Sequence, residues 1–214
     1  MTTRLKLIVG LGNPGPEHAM DRHNAGYWFV DALASRYSGF FHSEKKFFGD
    51  VARVDLDDND VRLLKPATFM NQSGLAIQSL ISYLNFEPEE ILVAHDELDL
   101  ESATVKLKRG GGAGGHNGLK NVISHIGPDF YRLRFGISHP GSRNDVTDYV
   151  LRRASKEDEE KLLSCIVDAV EVMPVLLGHG EEKAKTKLHS RGVTPKPYKN
   201  EGKDEKDHRE HGED

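Results

Sequence analysis

Cysteine is almost missing from this chain: Cys165 is the only one in 214 residues. One thiol cannot close an internal disulfide, which fits a reducing compartment, and its apolar, helix-like surroundings read as core packing. Long hydrophobic runs are missing too. Nothing approaches the roughly 18 apolar residues of a membrane span, and no charged-then-apolar leader opens the chain, so a cytoplasmic protein without membrane contact is expected. Basic excess is also lacking, because the formal net charge is -5 and the pI is near 6.1. Any nucleic-acid partner has to be held by a local patch of Lys and Arg. The 11 histidines show no H-E-x-x-H spacing and no cysteine pair beside them, so no metal is expected, and His208 and His211 read as incidental. There is no G-x-S-x-G elbow to announce a serine nucleophile.

What is present alternates between strand and helix. Leu5 to Val9 reads as a buried strand, and Ala25 to Tyr37 has helical spacing of Trp28, Phe29, Ala32 and Leu33. Phe47 to Leu56 and Val61 to Leu64 flank the turn-rich Asp57-Asp-Asn-Asp60 and read as an antiparallel hairpin. Further on come a helix over Ser73 to Leu84, strands over Ile91 to Ala94 and Thr104 to Lys108, and the glycine-rich loop Gly110 to Gly118. A helix over Leu119 to Ile126 follows, then a strand over Phe130 to Ile137 with Arg132 and Arg134 on one face. Asp158 to Leu177 reads as a helix that Pro174 is expected to kink or end. The class is α/β. Residues 1–190 are expected to form one domain, and residues 191–214, rich in Lys, Glu, Asp, Gly and Pro, a disordered tail.

Gly10-Leu-Gly12-Asn-Pro-Gly15 fits the G-x-G-x-x-G pattern of a dinucleotide loop. That loop should run straight into a helix and return as a parallel strand. Here Pro14 and Pro16 delay the helix, and the next strand belongs to a hairpin. Gly110-x-Gly112-x-x-Gly115 fits the pattern as well, yet His116-Asn117 follows where a phosphate-binding P-loop needs Lys and Ser or Thr. No nucleotide cofactor is expected.

Polar residues gather instead in five short segments at strand ends: Gly12 to Gly15, Arg22-His23-Asn24, Phe69 to Gly74, His95 to Asp99, and Gly114 to Gly118. In an open α/β sheet such loops can converge on one crevice. Each also has a plain structural reading. Asn13 suits a turn, His23 the approach to a helix, Asn71 a helix cap, and His95 a strand end. Asp96, Glu97 and Asp99 suit a solvated acidic turn, and the glycines a flexible link. Together, a histidine, a carboxylate and several amides are the parts needed to activate water against an ester.

These segments are more specific than that chemistry. Gly10-Leu-Gly-Asn-Pro-Gly15 with Arg22-His-Asn-Ala-Gly26, Lys65-Pro66 with Thr68-Phe-Met-Asn71 and Ser73-Gly74, His95-Asp-Glu-Leu-Asp-Leu100, and Gly110 through Leu119 resemble the signature blocks of the bacterial-type peptidyl-tRNA hydrolase family. The order and spacing agree over about residues 5 to 190. The resemblance implies a single α/β domain with a mixed central sheet flanked by helices. It also implies a monomer that hydrolyses the ester joining a peptide, or an N-blocked amino acid, to the 3′ end of tRNA without metal or cofactor. By the same resemblance His23 is the base, Asp96 its support, and Asn13 a reader of blocked amino groups. Phe69, Asn71 and Asn117 bind substrate, with Met70 and His116 lining the same crevice. Lys108 and Arg134 grip the tRNA backbone, and the partner is the CCA end and acceptor stem of peptidyl-tRNA.

Two positions depart from the family's pattern, which has Tyr and Thr where this chain has His18 and Asp21. His18 is a candidate to replace the tyrosine's contact with substrate. Asp21 adds a negative charge expected to raise the pKa of His23. A rival of another class is a non-catalytic RNA-binding protein on the same fold. Retention of His23, Asp96 and all three asparagines argues against it.

Overall fold

A strand that is apolar at every position needs cover on both of its faces. In the computed structural model, which describes residues 4–190, β1 (Leu7–Gly10) is buried throughout. The expected charged tail lies outside the described residues. The other strands are β2 (His42–Glu44), β3 (Gly49–Asp55), β4 (Asp60–Pro66), β5 (Ile91–Glu97), β6 (Val105–Arg109) and β7 (Tyr131–Gly136). They form one mixed sheet in the order β2-β3-β4-β1-β5-β7-β6. The central strands β4, β1, β5 and β7 run parallel, β3 pairs antiparallel with β2 and β4, and β6 pairs antiparallel with β7.

Side chains alternate across β1 as the pleat requires. Ile8 faces the layer in which α1 (Ala25–Arg36) packs on the sheet, with α5 (Lys156–His179) and α6 (Glu181–Ser190) in the same buried cluster. Leu7 and Val9 face α2 (Ser73–Leu84) and α3 (Asn117–Ile126) on the other side. The result is two apolar layers around a sheet whose parallel strands end on one edge. That edge receives the loop after β1, the loop after β4 and the end of β5.

Several expectations are corrected here. Phe47 lies in a 3-10 turn ahead of β3, and β2 and the short helix α4 (Val146–Val150) were not anticipated. β5 does not stop at Ala94; it carries His95, Asp96 and Glu97 as strand residues. Pro174 does not end α5, which continues to His179 because Val172, Met173, Leu176 and Leu177 around it are buried. Tertiary packing here outweighs a local cost of about 3 kcal/mol. By length and composition alone α5 is apolar enough to cross a membrane, contrary to the expectation, although half of its most apolar stretch is buried inside the protein.

The glycines of the first loop serve packing. A Cβ on Gly10 would strike the Gly26 carbonyl, and one on Gly26 would strike the Ala94 carbonyl and the Leu11 amide. Helix α1 therefore approaches β1 and β5 backbone to backbone, which draws the turn just before it over the end of β5. Gly26→Ala should cost about 1–3 kcal/mol of stability, because backbone atoms cannot yield as side chains do. Urea unfolding checks this; an unchanged midpoint would refute the close-approach account.

Candidate active site

Asn13 sits three residues beyond β1 and is held from two directions. Its N–H donates to Asn24 Oδ1 at 2.8 Å, and Asn24 Nδ2 donates back to the Asn13 carbonyl at 3.0 Å. Met70 N–H donates to Asn13 Oδ1 at 2.8 Å. With that oxygen occupied, Nδ2 is the free end of the side chain. Among the described residues it has no recorded partner, so it is a donor available to a ligand.

His23 and Asn24 lie in a 3-10 turn, Arg22–Asn24, that leads directly into α1. His23 Nδ1 is 2.8 Å from Asp96 Oδ1, with both residues buried. His116 Nε2 reaches the same oxygen at 3.0 Å. His116 also caps α3, where its Nδ1 accepts the Leu119 N–H at 3.2 Å. A nitrogen that accepts carries no proton, so the ring proton of His116 sits on Nε2, which donates to Asp96. A carboxylate only accepts, so His23 donates from Nδ1. That leaves the His23 Nε2 lone pair for a water or substrate proton.

The electrostatics agree with this arrangement. Burial alone would favour a protonated Asp96, but the charges and hydrogen bonds of His23 and His116 outweigh it and hold the carboxyl far below its usual range. Burial opposes charging of the His23 ring, yet the Asp96 charge and hydrogen bond, helped by Asp21, raise its pKa above the ordinary imidazole value. Cys165 is no rival nucleophile, since burial, with Asp168 adding to it, pushes its thiol up to about 12. Ligand atoms of His23, Asp96 and His116 lie within 4.8 Å of one another, a set that could hold a metal ion. Two N–H donors on one carboxylate oxygen account for the same convergence.

These groups open on a cleft of about 470 Å³ that brings together Asn13, His23, Phe69, Met70, Asn71, Asp96, His116 and Asn117. Phe69 is 61% exposed and Met70 is buried, although both line the cleft. Leu98, Val146, Val150 and Leu151 supply an apolar flank.

His18 does not join them. It lies outside the cleft lining, and its Nδ1 is 2.8 Å from Asp21 Oδ2. The basic residues also divide. Lys108 is exposed, whereas Arg134 is half-buried with its Nε 2.9 Å from Glu97 Oε2. Arg132, expected on the same open face, is buried and holds the Gly111 and Gly112 carbonyls. Asp96 is a buried strand residue and not part of a solvated acidic turn.

The chain matches the family profile described as peptidyl-tRNA hydrolase over residues 7–196. It is 50% identical over 192 residues to a peptidyl-tRNA hydrolase of Neisseria meningitidis serogroup C, covering 89% of this chain and 100% of that protein. A peptidyl-tRNA hydrolase of Actinobacillus succinogenes is 51% identical over 189 residues, covering 87% of this chain and 97% of the relative. The crystal structure of peptidyl-tRNA hydrolase from Acinetobacter baumannii superposes with a TM-score of 0.85 at 42% identity, covering 88% of this chain and 96% of that one.

Asn24 and His95 were not singled out from sequence as parts of the site. Asn24 stood in the open, next to His23, but its exchange of two hydrogen bonds with a residue eleven positions earlier has no local signature. Asp21, also buried, bears on His23 through its charge. Because a nearby anion favours the imidazolium, Asp21→Asn should lower the midpoint at which the His23 ring titrates in an NMR experiment. A midpoint that stays put would remove Asp21 from the account.

Proposed function

The chain belongs to the peptidyl-tRNA hydrolase family, and from that premise we propose how it splits the ester of peptidyl-tRNA and releases the tRNA. His23 Nε2 takes a proton from a water molecule as the water oxygen attacks the ester carbonyl. The Asp96 carboxylate keeps the proton on Nδ1 and stabilises the imidazolium that forms. The tetrahedral oxyanion is met by side-chain amides at the cleft, with Asn71 and Asn117 as the donors beside Asn13. Collapse breaks the bond to the 3′ ribose oxygen. That oxygen leaves with the proton held by His23, and the base is restored.

The observation that carries this reading is the shared Asp96 oxygen, which leaves one nitrogen of His23 as an acceptor facing the cleft. Asn13 supports selection for blocked substrates, because an amide donor can bind a peptide carbonyl and offers no charge to a free ammonium. Phe69 is suited to stack on a base of the single-stranded CCA end. We take the enzyme to act as a monomer, and a substrate made by translation supports a cytoplasmic location.

The test compares tRNA release from N-acetyl-aminoacyl-tRNA with release from the unblocked form. The expected outcome is cleavage of the blocked form alone. His23→Ala should lower the rate by about a hundred- to ten-thousand-fold while still binding tRNA; a variant of near-normal rate would sink the base assignment. For the backbone contacts, Lys108→Ala should weaken tRNA binding and reduce its salt slope by about one. An unchanged slope would show that Lys108 meets no phosphate.

A further inference from the structure

Helix α4 is five residues long, too short to be stable by itself in water. Val150 is its buried residue, and Val146 and Tyr149 pack part-way against the core. Yet Val146, Thr147, Val150 and the following Leu151 line the cleft and, with Leu98, form its apolar flank. The position of that flank therefore depends on tethers from outside α4.

Arg22 supplies several of them. Its Nη1 donates to the carbonyls of Tyr149, Arg152 and Arg153, each at 3.1 Å. Carbonyls at the end of a helix have no partner inside it, and a cationic side chain is suited to take them. The guanidinium also lies over the Tyr149 ring, 4.0 Å from its centroid. The hydroxyl of that ring donates to the Ile137 carbonyl just beyond β7, so the ring is fixed at its face and at its tip. The backbone adds to this: Arg22 N–H donates to the Arg152 carbonyl at 3.2 Å, and Asp21 pairs with Arg153 in an antiparallel bridge.

Arg22 and His23 are consecutive in one 3-10 turn. The first side chain reaches the end of α4, and the second reaches Asp96 at 2.8 Å. Base and apolar flank are thus fixed relative to each other by neighbouring residues.

We infer that Arg22 is a positioning residue for specificity: it holds the α4 flank at a fixed distance from His23, and that flank receives the side chain of the amino acid esterified to the tRNA. The other groups near the ester suit other walls. The peptide link and the ribose are polar and match the amides of Asn13, Asn71 and Asn117, whereas an apolar side chain gains by leaving water for Leu98 and Val150. Burial lowers the His23 pKa and the charges of Asp96 and Asp21 raise it, so Arg22 acts by placement and not by charge. The inference rests on the reading of this cleft as the seat of the ester, which the comparison of blocked and unblocked substrates judges separately.

The experiment measures kcat and KM on one tRNA charged with N-acetyl-leucine or with N-acetyl-glycine. Arg22→Ala should raise KM about fivefold for the leucyl substrate, part of the worth of burying a leucine side chain, and less than about twofold for the glycyl substrate. Its kcat on both should stay close to wild type, the pattern of lost binding without lost chemistry. Arg22→Lys keeps donors for the carbonyls but not the flat stack on Tyr149, and should recover part of the leucyl KM. The midpoint of the kcat–pH profile should not move in either variant. Equal rises in KM on the two substrates, an unchanged KM, a parallel fall in kcat, a moved midpoint or no recovery in the Lys variant each overturns the proposal. If Arg22→Ala does not fold, Tyr149→Leu, which removes the ring and hydroxyl from the same tether, is judged by the same ratio of KM values. Cleavage of both blocked substrates by the wild-type chain upholds the reading of the cleft whatever the Arg22 variants do.

Discussion

A carboxylate buried in a protein stays ionised only where donors compensate for the water it has lost. Asp96 meets that condition with one oxygen that accepts from both His23 and His116. The arrangement constrains everything around it. His23 must come from the turn before α1, His116 from the residue capping α3, and Asp96 from the last part of β5. Because each ring spends one nitrogen on Asp96, and His116 spends its other on Leu119 N–H, only His23 is left with a free basic nitrogen on the cleft.

Two further devices keep that geometry in place. The glycine contact between β1 and α1 lets a helix sit against the sheet without side chains between them, so the turn carrying His23 reaches the end of β5. The exchange between Asn13 and Asn24 ties the loop after β1 to that turn, and Met70 N–H ties it to the loop after β4. Asn13 is thus held from two other elements, which is how a loop achieves the precision that a substrate-facing group needs. Residues that only hold others, such as Asn24, matter here as much as those that face the substrate.

The same logic separates the basic residues. Arg132 is consumed in holding the glycine-rich loop through the Gly111 and Gly112 carbonyls, while Lys108 stays exposed for a partner. Arg134 stands between these roles, with one nitrogen on Glu97 and its other donors still unassigned. A count of cations on alternating strand positions cannot tell a tether from a binding group, because the distinction lies in which carbonyl or carboxylate arrives opposite each one.

The alternation of apolar runs, the breaks at glycine and proline, and the hairpin around Asp57 to Asp60 made the α/β class and most element positions legible in the chain alone. These signals depend on neighbours a few residues apart, so they are written locally. Each polar block taken alone suited a turn, a cap or a strand end, and it was the resemblance of the blocks together to a known family that singled out His23, Asp96 and Asn13. What the sequence left open was every question settled by contact between distant segments. Nothing local announced the pairing of His18 with Asp21. Asp96 and Glu97 suited a solvated turn until β5 ran on through them, and Pro174, expected to kink or end its helix, does not end it because core packing carries α5 past it. Burial, tautomer and the orientation of an amide are set by partners distant in the chain, 73 positions apart for His23 and Asp96, and only the folded chain brings them within hydrogen-bonding distance.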